Sequence, residues 1–258
     1  MSAVGVGPVP VPLFGQCAST RTLRDDVERI SRLESPLLIL GEVGTGKRSI
    51  AYEIHRKSDR ARHPFVQISC NTIPPIFQIT ELMGVEKGAS PVNLFSKPGS
   101  FELAQGGTLF IEEIDTLSID AQNAMFTALE NESFTRVGGV RKFPLDFRII
   151  ATSSRNISDA VKKGSFHVEL FYKLSADVLD LKSLRDRTED IRSDLVPYFL
   201  SRACQKKGVP TLECSEEVMT WFQNQEWKGN LGELERKVQK GVNLAKGSTL
   251  KIEDLMDP

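Results

Sequence analysis

Cysteine and histidine are scarce in this chain, at four and three among 258 residues. Cys17, Cys70, Cys204 and Cys214 stand far apart with no CxxC spacing. That excludes a disulfide framework and a thiolate metal cluster, and leaves reduced cytosolic thiols as the reading. His55 and His63 flank the end of a helical stretch and read as surface or cap residues rather than ligands. No apolar run approaches the roughly 18 residues that a membrane helix needs, so no membrane partner is expected and the location expected is cytoplasmic. The opening "MSAVGVGPVPVPLFG" lacks a basic n-region and is broken by Pro8, Pro10 and Pro12. It reads as a leader over 1–12, not as a signal peptide. Neither sign of charge dominates, and the net charge is −1. A dedicated nucleic-acid-binding domain usually shows a basic face, so DNA is expected to be reached only through a domain absent from this chain. The basic run "HRKSDRARH" (55–63) reads as a solvated face. Internal repeats and low-complexity tracts are absent.

What is present is a regular alternation. "TRTLRDDVERISRLE" (20–34) spaces Leu23, Val27, Ile30 and Leu33 one helical turn apart. "PLLILG" (36–41) is a short apolar run of the kind a buried parallel strand shows. A helix over 47–58 follows, then strands over 64–70, 107–114, 146–154 and 176–184, with a helix over 118–132. Strands alternating with helices predict an α/β fold, a parallel sheet covered on both faces. From about residue 184 the texture turns helical, with helices over 188–208, 215–225 and 232–247. Ser215, followed by Glu217 and an apolar run, marks a helix start, and Trp221 and Trp227 are expected to pack this helical part.

Two motifs carry chemistry. "LLILGEVGTGKRS" fits G-x-x-x-x-G-K between a strand and a helix, with Gly41, Glu42, Val43, Gly44, Thr45, Gly46, Lys47 and Arg48 as the candidate binding segment. Glycines let backbone amides converge on a phosphate, the helix N-terminus adds its dipole, and Lys47 reaches the β- and γ-phosphates. The pattern usually ends in Ser or Thr to hold magnesium, and here that place is taken by Arg48. "GGTLFIEEI" ends an apolar strand in Glu112 and Glu113. Such a pair holds a metal and polarises an attacking water, so both are candidate catalytic residues and Glu112 the candidate magnesium ligand.

"GEVGTGK", "ELMGVEKGA", "GSFELAQGGTLFIEEID", "FRIIATSSRNI", "LRDRTEDI" and "WKGNLGELE" follow one another in the order found in a known family. The chain resembles the central AAA+ domain of bacterial enhancer-binding proteins, the activators that remodel sigma-54 RNA polymerase. The resemblance covers about residues 13–256. It implies an AAA+ P-loop fold with an α/β subdomain (13–184) and a C-terminal helical lid (185–258), ATP or ADP with Mg²⁺ in the cleft between them, and a homo-oligomeric ring. It also implies RNA polymerase or a regulatory protein as partner. Some relatives with altered target loops bind cyclic dinucleotides, which adds that ligand class to the expectation.

The departures from the family fall on its functional positions. The target-gripping loop GAFTGA aligns with Gly88, Ala89, Ser90, Pro91, Val92 and Asn93, so its contact aromatic and its second glycine are gone. The Asp-Glu acid pair is Glu112–Glu113. The asparagine that restrains the catalytic glutamate aligns with Ser69, and a sensor asparagine aligns with Ser154. Two arginines that enter the neighbouring subunit's ATP site align with His167 and Lys173, and the lid arginine aligns with Gly232. An arginine finger contributes about 10³–10⁵ in rate, and neither a neutral imidazole nor a lysine supplies the same planar fork. Hydrolysis is therefore expected to be absent or slow, with nucleotide binding retained and the domain acting as a regulatory or assembly module. Two alternatives stand beside this: an active ATPase that remodels a target, with Arg136, Arg141 or Arg155 as substitute cations, and an interaction module with a relic site.

Overall fold

The computed structural model describes residues 15, 17–89, 95–154 and 156–256. The leader over 1–12, the loop positions Ser90 to Asn93 and Arg155 lie outside them. Contacts divide the chain into two units. One takes in Val27–Leu40 and Lys47–Asp180; the other takes in residues 17–26, Gly41–Gly46 and residues 181–256.

The first unit is built on five strands: β1 (Leu37–Leu40), β2 (Phe65–Ser69), β3 (Thr108–Glu112), β4 (Arg148–Ser153) and β5 (Asp177–Asp180). Their order is β2-β3-β4-β1-β5 and every pairing is parallel, as the alternation in the sequence predicts. A parallel sheet is buried on both faces, which is why β1 reads as an unbroken apolar run and β3 and β4 carry apolar centres, Leu109–Ile111 and Ile149–Ala151. One face sets Leu38, Ile68, Leu109, Ile111 and Ala151 in a core with Ala121 and Met125 of the helix Ile119–Glu130 and Leu170 and Leu174 of Val168–Leu174. The alternate residues, Leu37, Ile39, Phe110 and Ile150, are fully buried as well. The helix Lys47–Lys57 meets β1 and β3 and buries Ile50, Ala51 and Ile54.

The register pairs Ser69 with Glu112 and Ile111 with Ala151, so the carboxyl ends of β2, β3 and β4 share one edge of the sheet. Ligands of open α/β sheets bind outside that edge. At the opposite end of β4, Arg148 is buried and donates from Nη2 to the Ile30 carbonyl (2.9 Å) near the end of the helix Ala18–Ser31. A cation there complements the negative end of the helix dipole.

Three features of this unit lie beyond the sequence reading. Pro75–Met83 is helical, with Pro75 at its start, where a missing N–H costs nothing. Two short antiparallel pairs, Gly84–Val85 with Lys97–Pro98 and Ser133–Thr135 with Lys142–Pro144, are joined by a bridge between Val85 and Val137. His55 is buried, not superficial: Nδ1 lies 2.9 Å from Thr108 Oγ1, and burial holds the ring's pKa below its ordinary value. Three other cations of the basic run are paired at the surface, Arg56 on Glu53, Lys57 on Glu28, and Arg60 on Glu34 and Asp146.

The second unit carries the helices Val196–Lys207, Glu216–Gln223 and Asn230–Leu244. Leu234, Val238, Gly241 and Val242 recur at helical spacing on the buried face of the last. Leu234, Val238 and Val242 join Phe199, Val218, Phe222, Trp227 and Leu255 in one core. Ser215 caps the middle helix, its Oγ accepting from Val218 N (3.3 Å). The single helix expected over 188–208 is interrupted by a five-residue π-helical turn, Ile191–Leu195, that ends two residues before Pro197. Proline cannot donate to the carbonyl four residues back and its ring crowds it, and a widened turn relieves both problems. Among the described residues, no helix is long and apolar enough to cross a membrane.

Candidate functional site

The phosphate-cradle residues Gly41–Gly46 group with the second unit, and hydrogen bonds show why. Gly44 has φ of 81°, and a Cβ on it would sit 2.3 Å from Gly229 O. The Gly44 carbonyl accepts from Leu231 N (3.0 Å). Gly46, at φ 101°, completes a turn that only glycine adopts without strain. Asn230 is fully buried and links the cradle to the helical part: Nδ2 donates to Val43 O (2.9 Å) and Glu42 Oε2 (3.2 Å), while Oδ1 accepts from Leu184 N (2.7 Å). Arg185 forks onto the Glu42 carboxylate and, with Asn230, holds its pKa below the ordinary value. Thr45 turns inward and donates to Glu42 O (2.9 Å).

The remaining candidates belong to the first unit. Lys47 is buried, with Nζ 3.6 Å from Glu113 Oε1; burial lowers its pKa and the facing carboxylate partly restores it. Glu113 sits just past β3 in a left-handed conformation, φ 51°. Its Oε2 accepts from both the backbone N (3.0 Å) and the Oγ of Ser154, and its own N donates to Thr152 Oγ1 (3.2 Å). Ser154 thus reaches the glutamate despite its short side chain. Ser69, aligned with the family's restraining asparagine, is turned to Asn71 Oδ1 (2.8 Å) instead.

Glu112 is held by nitrogen donors. Arg48 donates from Nε to Oε1 (3.0 Å) and from Nη2 to Oε2 (2.9 Å), and Gln67 Nε2 donates to Oε2 (2.8 Å). Magnesium is the ion that the fold implies, and these residues do not fit it. Mg²⁺ demands near-octahedral oxygen ligands at about 2.0–2.1 Å. Here both oxygens of the candidate ligand are taken by a guanidinium, and residue 48 has no hydroxyl to offer. Among the described residues, no cluster of three or more His, Cys, Asp or Glu side chains is suited to a metal.

The other departures have structural employment. His167 is the N-cap of Val168–Leu174: Nδ1 accepts from Leu170 N (3.2 Å), and the ring packs on Phe126 with centroids 4.8 Å apart. Lys173 pairs with Glu130 of the same chain. Gly232 lies on the helix Asn230–Leu244 with open space where a Cβ would be. Arg136, a substitute-cation candidate, is forked onto Glu102 (2.9 and 2.7 Å) and also donates to Glu86 (3.1 Å). Arg141 lies over the Phe143 ring at 4.8 Å.

A five-stranded parallel sheet with a glycine cradle, a strand-end acid pair and a helical C-terminal unit defines an AAA+ P-loop domain. Comparison places it more narrowly. The sigma-54 interaction domain matches residues 13–180, and an AAA+ ATPase lid domain matches 185–258. The chain belongs to the sigma-54 interaction domain family and is a sigma-54-activator-like AAA+ regulatory domain. It is 36% identical over 243 residues to the transcriptional regulatory protein XylR of Pseudomonas putida, covering 94% of this chain and 43% of XylR. It is 34% identical over 238 residues to a Nif-specific regulatory protein of Azotobacter vinelandii, covering 92% of this chain and 45% of the relative. The chain thus spans about half the length of such relatives. Crystal structures of NtrX from Brucella abortus, one in complex with ADP and one with ATP, superpose with a TM-score of 0.87 at 30% identity, over 94% of this chain and 54% of theirs.

Proposed function

We propose that this chain is the nucleotide-binding AAA+ module of a transcriptional regulator, and that it hydrolyses ATP slowly or not at all. The observation that carries this reading is the use made of the two trans-acting positions. The His167 ring caps a helix of its own chain and Lys173 is paired with Glu130, so neither is a free guanidinium for a neighbour. An arginine finger is worth about 10³–10⁵ in rate, which is the size of the loss expected here. Retained binding is supported by the cradle, by Lys47 and by the ADP and ATP complexes of NtrX. ATP or ADP is the ligand proposed, with a cyclic dinucleotide as the alternative. The module acts through homo-oligomeric assembly or through contact with RNA polymerase or a regulatory protein.

The reading of an active remodelling ATPase asks for a substitute cation. Arg136 is committed to Glu102 and Glu86, and Arg141 to Phe143, which speaks against both. Two measurements test the proposal. ATP or ADP at about 100 times its Kd adds about 2.7 kcal/mol to a protein that binds it only when folded. At about 2–4 °C per kcal/mol, Tm rises by about 5–11 °C. Absence of any shift with either nucleotide points instead to a pure interaction module. ATP turnover is expected to stay flat as protein concentration rises; a steep rise would establish a working ring and refute slow hydrolysis.

A further inference from the structure

The Arg48–Glu112 pair spans the line from the cradle's helix to the acid strand, where a P-loop protein otherwise places its metal. Arg48 follows Lys47 directly on the first turn of the helix Lys47–Lys57, and Glu112 closes β3. The guanidinium uses Nε and one N–H of Nη2 on the carboxylate, and Gln67 supplies a third donor. The neighbouring acid offers no replacement ligand, because Glu113 is turned to Ser154 and faces Lys47. Two cations, Lys47 and Arg48, therefore stand against two carboxylates.

Resting on the reading that the cradle binds a nucleotide, we propose that Arg48 is the resident cation of this site, and that a nucleoside di- or triphosphate binds here without a divalent metal. The chemistry of the fork supports it. A guanidinium carries five N–H donors in a plane and pairs with phosphate oxygens as readily as with a carboxylate. Among the described residues, Nη1 of Arg48 has no hydrogen-bond partner, which leaves its two N–H groups for a ligand. The Arg48 side chain is half exposed, at 50%, against 15% for Glu112. Solvent can thus be exchanged for phosphate at the open side while the fork on Glu112 stays in place. Glu112 acts as the positioning residue, orienting the guanidinium as a conventional acid orients a metal.

The test is ATP and ADP titration calorimetry on the protein at constant ionic strength, once with Mg²⁺ and once with EDTA. The expected result is a Kd that agrees within about threefold between the two conditions, where about 1.4 kcal/mol would be tenfold. Arg48→Thr, which restores the usual hydroxyl, is expected to bind about tenfold tighter with Mg²⁺ than with EDTA. A wild-type Kd that weakens tenfold or more in EDTA overturns the proposal and leaves the nucleotide reading intact. No binding in either condition overturns both. The wild-type arm decides alone if Arg48→Thr fails to fold, and Glu112→Gln gives a second variant. Glu112→Gln is expected to weaken ATP equally with and without Mg²⁺, and a loss confined to Mg²⁺ would show that Glu112 serves a metal.

Discussion

Asn230→Ala should destabilise the second unit more than any other single change at the cradle. Asn230 is fully buried, and its amide satisfies Leu184 N at 2.7 Å and Val43 O at 2.9 Å. Truncation strands the buried Leu184 N–H, worth about 1–3 kcal/mol, whereas the Val43 carbonyl, on an exposed residue, turns to solvent. Its φ of 50° adds a further cost, since alanine in the left-handed region is worse than asparagine or glycine by about 1 kcal/mol. The total is about 2–4 kcal/mol, or a fall in Tm of about 4–16 °C at about 2–4 °C per kcal/mol. Trp221 and Trp227, the two tryptophans of the chain, both lie in the second unit, so intrinsic fluorescence during heating reports that unit selectively. Asn230→Gly loses the same hydrogen bonds without the backbone strain and should recover about 1 kcal/mol relative to alanine. A fall below about 2 °C for Asn230→Ala would mean that these bonds are replaced by solvent at no cost, and the reasoning would fail. Equal losses for Gly and Ala would refute the backbone part alone.

Asp190 is fully buried, which by itself raises its pKa, but hydrogen bonds from Cys17 and Thr20 and the nearby Arg187 outweigh burial and hold it below the ordinary aspartate value. A depressed carboxylate stabilises fully above its unfolded pKa, and that contribution disappears as pH falls through the folded value. Urea midpoints of the wild type should therefore hold steady from neutral pH down to about 4 and drop below it, whereas Asp190→Asn should be weaker throughout and flatter in acid. Cys17, Cys70 and Cys204 are buried and Cys214 is half-buried, with the Cys70 thiol pushed up to about 12 by burial. An aromatic disulfide reagent near neutral pH should titrate only Cys214 in the native protein and all four thiols in denaturant; rapid labelling of Cys70 would contradict its packing.

The sheet was readable because a parallel strand buried on both faces needs a short apolar run, and "LLIL", the "LFI" of "TLFIE" and the "IIA" of "RIIATS" supply it. The two-residue strands at Gly84 and Lys97 were not, since two residues carry no period. The helix Pro75–Met83 had a signal, a proline at its first position, but its apolar residues crowd rather than alternate, and Ile76 and Phe77 remain exposed. The substitutions at the site were visible one by one. Their partners were not: Arg48 and Glu112 stand 64 residues apart and meet through the pairing of distant elements. The same limit hid Glu130 beside Lys173 and Ser154 over Glu113. A residue's replacement can be seen in a sequence, but its new engagement depends on which chain segments the fold brings alongside it.

The bond from Asn230 to the Val43 carbonyl closes a span of 187 residues. That span sets a timetable. As the chain leaves the ribosome, β1 to β5 are complete by Asp180, and large proteins fold such segments as they emerge. Gly41–Gly46 emerges among the earliest of these residues, yet its carbonyls wait for Asn230 and Leu231, which are made fifty or so residues after β5 closes the sheet. The phosphate loop therefore cannot acquire its form until residues 230 and 231 have been made, long after its own residues. A nascent or truncated chain ending near residue 180 would carry the sheet but not a finished cradle, and any nucleotide present during synthesis would meet a competent loop only once the helical residues had been made.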